Sequence, residues 1–412
     1  MQLKFVHKSI LLIAAFAVLS AFKISSYMFS GRFLAEEGTF FYTHIHASGF
    51  WSGLVYVYKG HLEFFTNLVV ALSTLVPLQY APLVTTYLSL LIQAMPIMFI
   101  IFNRNAFGLS ARQTFLFIFI LCGSSVHEVW ANSINLHFHF MLLAALILAL
   151  PDAVLQKQKH LCRLLLLMSG ISGVFANFLL PLFVIKWLKY RNYEYFLHAL
   201  IISSTTALQL ILIAIFPNTL DVMRDYSFDI ILFFYTILGQ ELVMPIFADM
   251  FNPFLPLLQD NARALQPTAL VITLLLVVLY LFLCFRICKT GSIGLMLVLS
   301  YVILSFFVFF IAAGNKSDMA ISLVGGRYFF VSNALLLLGL IKAQPDDKLH
   351  LTTLIFCIMC ITSIPRLYMP ALGPEWSESY KKAVEESSER IQIWPSPWSM
   401  PNHTLMQRNN TY

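Results

Sequence analysis

An all-α, polytopic transmembrane helix bundle is the fold class this sequence predicts, on three observations. The 412 residues are 59% hydrophobic and 11% charged, with 38 Phe, far more apolar than a soluble domain. Apolar runs near the ~20 residues that cross a bilayer recur along the chain. Short basic clusters separate several of them, as the positive-inside rule expects of cytoplasmic loops. These runs predict about 9–11 spans plus interfacial or re-entrant helices, with the N-terminus inside and the C-terminal tail outside.

Composition also narrows the partners. The net charge of +6 is compatible with an anionic partner, but the basic residues lie mostly between spans, where topology already accounts for them, so no nucleic-acid partner is expected. The six cysteines all fall within or beside apolar runs, so no disulfide framework follows. Cys357 and Cys360 share one apolar helix face.

Taken in order, Lys4 and Lys8 precede a retained anchor from Ser9 to Phe29, which is followed by a first external loop over 30–63. Leu62–Leu78, interrupted by Glu63, Thr66, Asn67, Ser73 and Thr74, reads as an interfacial helix. Ala81–Phe102 spans inward, Gln113–Ser125 outward, and a second external loop covers 124–137. Phe138–Leu150 re-enters towards a loop holding Lys157, Lys159 and Arg163.

Leu164–Ile185 is long enough to cross, yet Lys186, Lys189 and Arg191 follow it. Gly170, Gly173, Asn177 and Pro181 can instead break it into two re-entrant half-helices. Phe196–Phe216 is a span, Ile230–Phe247 is apolar but carries Gln240 and Glu241, and 248–267 reads as an external amphipathic segment. Spans are expected at Thr268–Phe285, Gly291–Ala313, from Arg327 to Lys342 and at Leu349–Ile364. These close a transmembrane domain of 1–364. The tail, 365–412, holds a helical stretch around Glu378–Arg390 and a Pro/Trp-rich segment. No internal repeat is visible, which weakens the case for a transporter built from inverted halves.

An anchor helix, an external loop with paired acidic residues, short interfacial helices and then a polytopic bundle resemble the GT-C superfamily of membrane glycosyltransferases. More closely, the chain looks like a branch of uncharacterised bacterial polytopic proteins through four elements in order. These are Ala35-Glu36-Glu37-Gly38, Tyr58-Lys59-Gly60-His61, Arg327-Tyr328-Phe329-Phe330-Val331, and Gly373-Pro374-Glu375-Trp376 with Pro395-Ser396-Pro397-Trp398. The second acidic position of that pattern is more often Asp, so Glu37 is a conservative departure. The resemblance implies a polyprenyl-phosphate-linked sugar donor, a glycan or lipid acceptor, an essential first-loop acid, and a place in a bacterial inner membrane.

Inverting sugar transfer needs a base for the acceptor hydroxyl and cations for the departing phosphate. Glu36 or Glu37 is expected as that base, or as ligand to a divalent cation such as Mg or Mn. The bland alternative leaves one exposed while the other neutralises Lys59 or Arg32. Arg327, beside Gly325-Gly326, suits the lipid phosphate through its bidentate fork, or else is an interfacial anchor. Lys59 and His61 assist it or touch lipid headgroups. Glu128 follows as a substrate or metal ligand, where resembling enzymes often place an acid. His137 and His139 point about 200° apart on a helix, which disfavours a zinc cluster with His127. Glu241 lines the cavity, or is held structurally with Gln240.

The rival expectation is a transporter or flippase for lipid-linked sugars, in which the acids bind a coupling ion or a headgroup. Such a protein needs polar residues at mid-span, and few are present beyond Lys23, Gln93, Asn177 and Gln209. A noncatalytic scaffold of an envelope-polysaccharide pathway is a third possibility.

Overall fold

The computed structural model describes residues 2–124, 126–216, 230–247, 266–312, 325–344, 351–369, 375–395 and 398–402. The amphipathic segment expected at 248–267 lies outside them but for its last two residues. Among the described residues, six helices are long and apolar enough to cross a membrane, or up to seven if a bent pair counts as one span. The chain is a multi-pass membrane protein.

Among the described residues, several apolar runs expected to span form shorter helices. The helices α6 (Ala111–Cys122) and α7 (Leu136–Ala149) have 12 and 14 residues. At a rise of ~1.5 Å per residue they fall well short of the ~30 Å hydrocarbon core. Every residue of α7 is buried, so this helix is covered by protein on all sides.

The first helix, α1 (Gln2–Lys23), begins earlier and ends earlier than the apolar run suggests. Lys23 closes it, because the buried ammonium donates to the carbonyls of Cys122 (2.6 Å), Arg366 (3.2 Å) and Ser124 (3.4 Å). Three carbonyl acceptors replace the water that a buried ammonium loses. The long α5 (Ala81–Asn103) runs antiparallel to α1, since Arg104 at its end stacks on Phe5 at 3.8 Å and donates to Ser9 Oγ.

Between these helices the chain folds a small cap. A single π turn (Glu37–Tyr42) leads through α2 (Thr43–Ser48) and α3 (Phe50–Leu54) into a hairpin, β1 (Val57–Tyr58) and β2 (His61–Leu62). The ten-residue α4 (Phe64–Ser73) follows. The polar residues that interrupt its apolar pattern face inward: Asn67 donates to the carbonyls of Leu54 (3.2 Å) and Tyr56 (2.8 Å). Gly31 sits at φ +64, and a Cβ there would lie 2.5 Å from Leu83 N and Pro82 C. Gly31→Ala is expected to destabilise the protein by at least about 2 kcal/mol, from left-handed strain plus backbone overlap, read as a lower midpoint in thermal melts of the purified protein.

The middle segment is broken where its Gly and Asn residues stand. After a short α8 (Asp152–Leu155), α9 (Lys159–Ile171) climbs to a break at Ser172–Val174, and α10 (Leu180–Tyr190) returns. Gly173 takes φ +112 there, and Asn177 donates to the carbonyls of Gly170 (3.1 Å) and Gly173 (3.2 Å). Both ends of this segment meet at one level against α11 (Tyr193–Ile215). Arg163 pairs with Glu194 at 2.6 Å, and Lys186 donates to the carbonyls of Leu148 and Leu150.

Beyond α11, α12 (Ile230–Ile237) and α13 (Met244–Phe247) are joined by a second π turn that carries Gln240 and Glu241. The bundle is completed by α14 (Pro267–Cys288), α15 (Ser292–Phe307), α16 (Gly326–Ala343) and α17 (Leu351–Ser363).

The tail is part of the cap. Its helix α18 (Trp376–Glu385) and hairpin β3 (Arg390–Gln392) and β4 (Ser399–Pro401) pack on the first loop. Ala35 N donates to Trp394 O (2.7 Å), Thr39 to Ser399 O (3.0 Å), and Trp376 Nε1 to Gln79 O (3.1 Å). Phe33, Phe41, Tyr42, Trp376, Ile391 and Met400 form a separate buried core. The apolar residues scattered through a polar tail thus belong to a core completed from the other end of the chain.

Candidate functional site beneath the cap

The first-loop acids diverge. Glu37 is fully buried, and its carboxylate accepts from Leu34 N (3.1 Å), Ser133 N (2.8 Å) and Ser133 Oγ (2.6 Å), tying the cap to the second loop. Burial outweighs those hydrogen bonds and raises its carboxyl above the ordinary value. Glu36, one residue earlier, faces the other way into an open cleft between cap and bundle. It lies 4.0 Å from Lys59 Nζ, with both side chains partly exposed.

Arg327 enters the same cleft from the first turn of α16. Its Nη1 donates to Glu128 Oε2 at 2.8 Å, the acid coming from the second loop. Each side chain of this pair is 34% exposed, so the guanidinium keeps a face open to the cleft. Four residues singled out in the sequence, Glu36, Lys59, Glu128 and Arg327, therefore converge on one region from three segments.

His61 also lines the cleft and leads to a group that sequence reasoning passed over. Its Nε2 lies 3.0 Å from Glu63 Oε1 and its Nδ1 3.1 Å from Lys59 O. Both contacts are hydrogen bonds only when the ring carries both protons. His137, at the start of α7, brings Nδ1 to 3.7 Å from the same Glu63 oxygen, and the Thr66 hydroxyl lies 3.0 Å from the other. Burial alone would raise the Glu63 carboxyl, but His137 and His61 override it and hold the group well below the ordinary carboxylate range.

The break at Ser172–Val174 builds the neighbouring wall. Ser172 bridges to Glu63, Gly173 leaves room beside the His137 and Glu63 side chains, and Phe175 stacks on the His137 ring at 4.6 Å and 14°. Gln209 on α11 fixes the hairpin from below, exchanging two 3.0 Å hydrogen bonds with the backbone of Leu62. Phe41, Tyr58, Phe138 and Tyr328 complete an aromatic lining around the charged groups. The only warning of Glu63 in the sequence was its place as the first break in an apolar run.

Glu241 and Glu37, both expected at the site, lie elsewhere. Glu241 is buried in the π turn, where the Ser305 hydroxyl donates to it and Ser332 Oγ lies 3.0 Å from Ser305 Oγ. It reaches the interior of the bundle and does not line the cleft. His139 points away from His137, with Nε2 3.0 Å from Val129 O. Glu37 turns away from Glu36, so the expected metal set of Glu36, Glu37 and Glu128 does not converge. Among the described residues no three His, Cys, Asp or Glu side chains are grouped to hold a metal ion.

No protein-family model, curated protein or solved structure matches the chain. What the cleft can do is therefore argued from its side chains.

Proposed function

We propose that the chain is a membrane glycosyltransferase of GT-C type. It moves a hexosyl or pentosyl group from a polyprenyl-phosphate donor to a glycan or lipid hydroxyl, with the cap on the extracytoplasmic side of a bacterial inner membrane. The observation that carries this reading is the pairing, in one cleft at the mouth of an apolar bundle, of a partly exposed carboxylate with two cations and an aromatic lining. Aromatic rings suit the apolar face of a sugar. Arg327 and Lys59 suit the phosphate, Arg327 through a planar fork and Lys59 as a point charge.

In this reading Glu36 takes the proton of the acceptor hydroxyl as its oxygen attacks the anomeric carbon. The bond from that carbon to the phosphate oxygen breaks, and polyprenyl phosphate leaves with the bonding pair, held by Arg327 and Lys59. The His61–Glu63–His137 group positions the hairpin that carries Lys59. A divalent cation held by Glu36 would add charge stabilisation for the departing phosphate.

Saturable binding of a polyprenyl phosphate to protein in nanodiscs tests the donor assignment. Arg327→Ala is expected to weaken it by about tenfold or more through loss of a charge-assisted, bidentate partner. Equal binding by wild type and Arg327→Ala would remove Arg327 from the phosphate site.

One observation favours the transporter reading. Glu241 is a carboxylate buried inside the bundle with Oε2 lacking a hydrogen-bond partner, the kind of group that carries protons or ions in membrane proteins. Sugar-lipid movement abolished by Glu241→Gln but retained in Glu36→Gln would select it.

A further inference from the structure

The row of groups that opens at Glu36 continues out of the cleft along the cap. Glu36, Phe40 and His44 follow one another at intervals of four residues through the π turn into α2, a spacing that sets them on one face. Tyr56, Tyr58 and Lys59 run the opposite way, beside and along β1. The two rows meet in register. Glu36 faces Lys59 at 4.0 Å, the Phe40 and Tyr58 rings lie 5.4 Å apart at 34°, and His44 stacks on Tyr56 at 3.9 Å and 17°.

These pairs form a ledge. It rests on the buried Phe41 ring, which packs against Tyr56 at 5.6 Å and Tyr58 at 4.9 Å. Trp398 of the tail stands edge-on to Phe40 at 5.9 Å and 83° and makes a rim. Glu36, Lys59 and Tyr58 belong to the cleft, and the other members carry the ledge beyond it. There Phe40 is 39% exposed, His44 is exposed and Tyr56 is half-buried.

Four residues of helix advance about 6 Å, so successive pairs are spaced by roughly one sugar ring of a chain. Phenyl and phenol rings offer apolar surface, and the phenols add a polar handle. Partial burial lowers the His44 imidazole below its ordinary value, so near neutral pH the ring offers a hydroxyl one donor and one acceptor. The ledge is thus polar at both ends and aromatic between them, which suits a hydroxyl-rich chain better than a hydrocarbon one.

We propose that this ledge binds a glycan, a pyranose chain with one end at Glu36 in the cleft and successive rings against Phe40–Tyr58 and His44–Tyr56. As a binding surface it does not require sugar transfer. That its occupant is the acceptor rests on the transferase reading; the acceptor is then a glycan and not a lipid, and longer chains are preferred.

Binding to the full chain in nanodiscs, followed by ligand-observed NMR, tests it with maltohexaose and chitohexaose beside their single units, glucose and N-acetylglucosamine. At least one hexasaccharide is expected to bind about tenfold or more tightly than its single unit, because two further aromatic pairs are engaged. Phe40→Ala is expected to remove that gain, His44→Ala to reduce it and Phe40→Trp to keep it. Trp51→Ala, exposed on the cap and off the ledge, is expected to leave it unchanged. No gain with length in either series would overturn the proposal, as would a gain kept in both Phe40→Ala and His44→Ala, or one lost equally in Trp51→Ala. Dioctanoylglycerol bound in place of the hexasaccharides, with the loss in Phe40→Ala, would make the ledge a lipid contact and overturn it too. Length-dependent binding without any transfer would leave the ledge standing and sink the transferase reading; transfer indifferent to acceptor length, with no length-dependent binding, would do the reverse.

Discussion

Glu36→Gln is expected to lower the rate of sugar transfer by on the order of 10²–10⁴-fold, the usual contribution of a positioned general base, with donor binding nearly unchanged. The amide keeps the size of the side chain and cannot accept the acceptor proton. Because Glu36 is partly exposed and its ion-pair contact with Lys59 is a long 4.0 Å, the variant should fold and melt as the wild type does. The check is single-turnover transfer set beside a thermal melt of the same preparation. A Gln variant that transfers at the wild-type rate would remove Glu36 as the base.

The adjacent residue should behave in the opposite way. Glu37→Ala leaves Leu34 N, Ser133 N and Ser133 Oγ without their buried acceptor, a loss on the order of 3 kcal/mol or more. The expected readout is a cap that becomes protease-sensitive at temperatures where the bundle is intact. Glu37→Gln retains one carbonyl acceptor and should cost less, with transfer per folded molecule preserved.

Its pH dependence has a definite sign. The folded-state carboxyl is raised, so the folded protein holds this proton more tightly than the unfolded chain does. The contribution of Glu37 to stability is therefore fully present below the ordinary carboxylate range and is lost as pH rises through the raised value. Glu37→Gln should flatten that part of the stability profile. An unchanged profile would mean that Glu37 is not the group responsible.

The two acids show how far sequence carries and where it stops. Membrane class, the α5 span and the entry of Arg327 at the head of a span are legible in composition, run length and flanking charge. Which of two adjacent carboxylates faces a cavity is decided by a π turn and by Ser133, a residue far along the chain. Glu63, His137 and Phe175 come from three separate elements and meet only through the break at Ser172–Val174. A pattern of Gly and Pro announces that break without saying what it touches.

The tail makes the same point at larger scale. Its polarity marks it as extramembranous, yet Trp376, Ile391 and Met400 are spaced by helix and hairpin geometry to bury against Phe33 and Phe41. A local reading of hydropathy treats them as isolated apolar residues, because the surface they cover lies at the opposite end of the sequence. Helix length is hidden from a hydropathy reading for a related reason: α6 and α7 are apolar because protein surrounds much of them, and each is short of a full crossing.

Transfer itself tests the central claim most directly. Wild-type protein in nanodiscs would be given radiolabelled polyprenyl-phosphate hexose or pentose donors with hydroxyl-bearing acceptors, and the product's anomeric configuration read by NMR. A single carboxylate base facing two phosphate-binding cations predicts transfer with inversion at the anomeric carbon and release of polyprenyl phosphate. Saturable donor binding without transfer to any acceptor would contradict the enzymatic account and leave a protein that holds or moves the lipid-linked sugar.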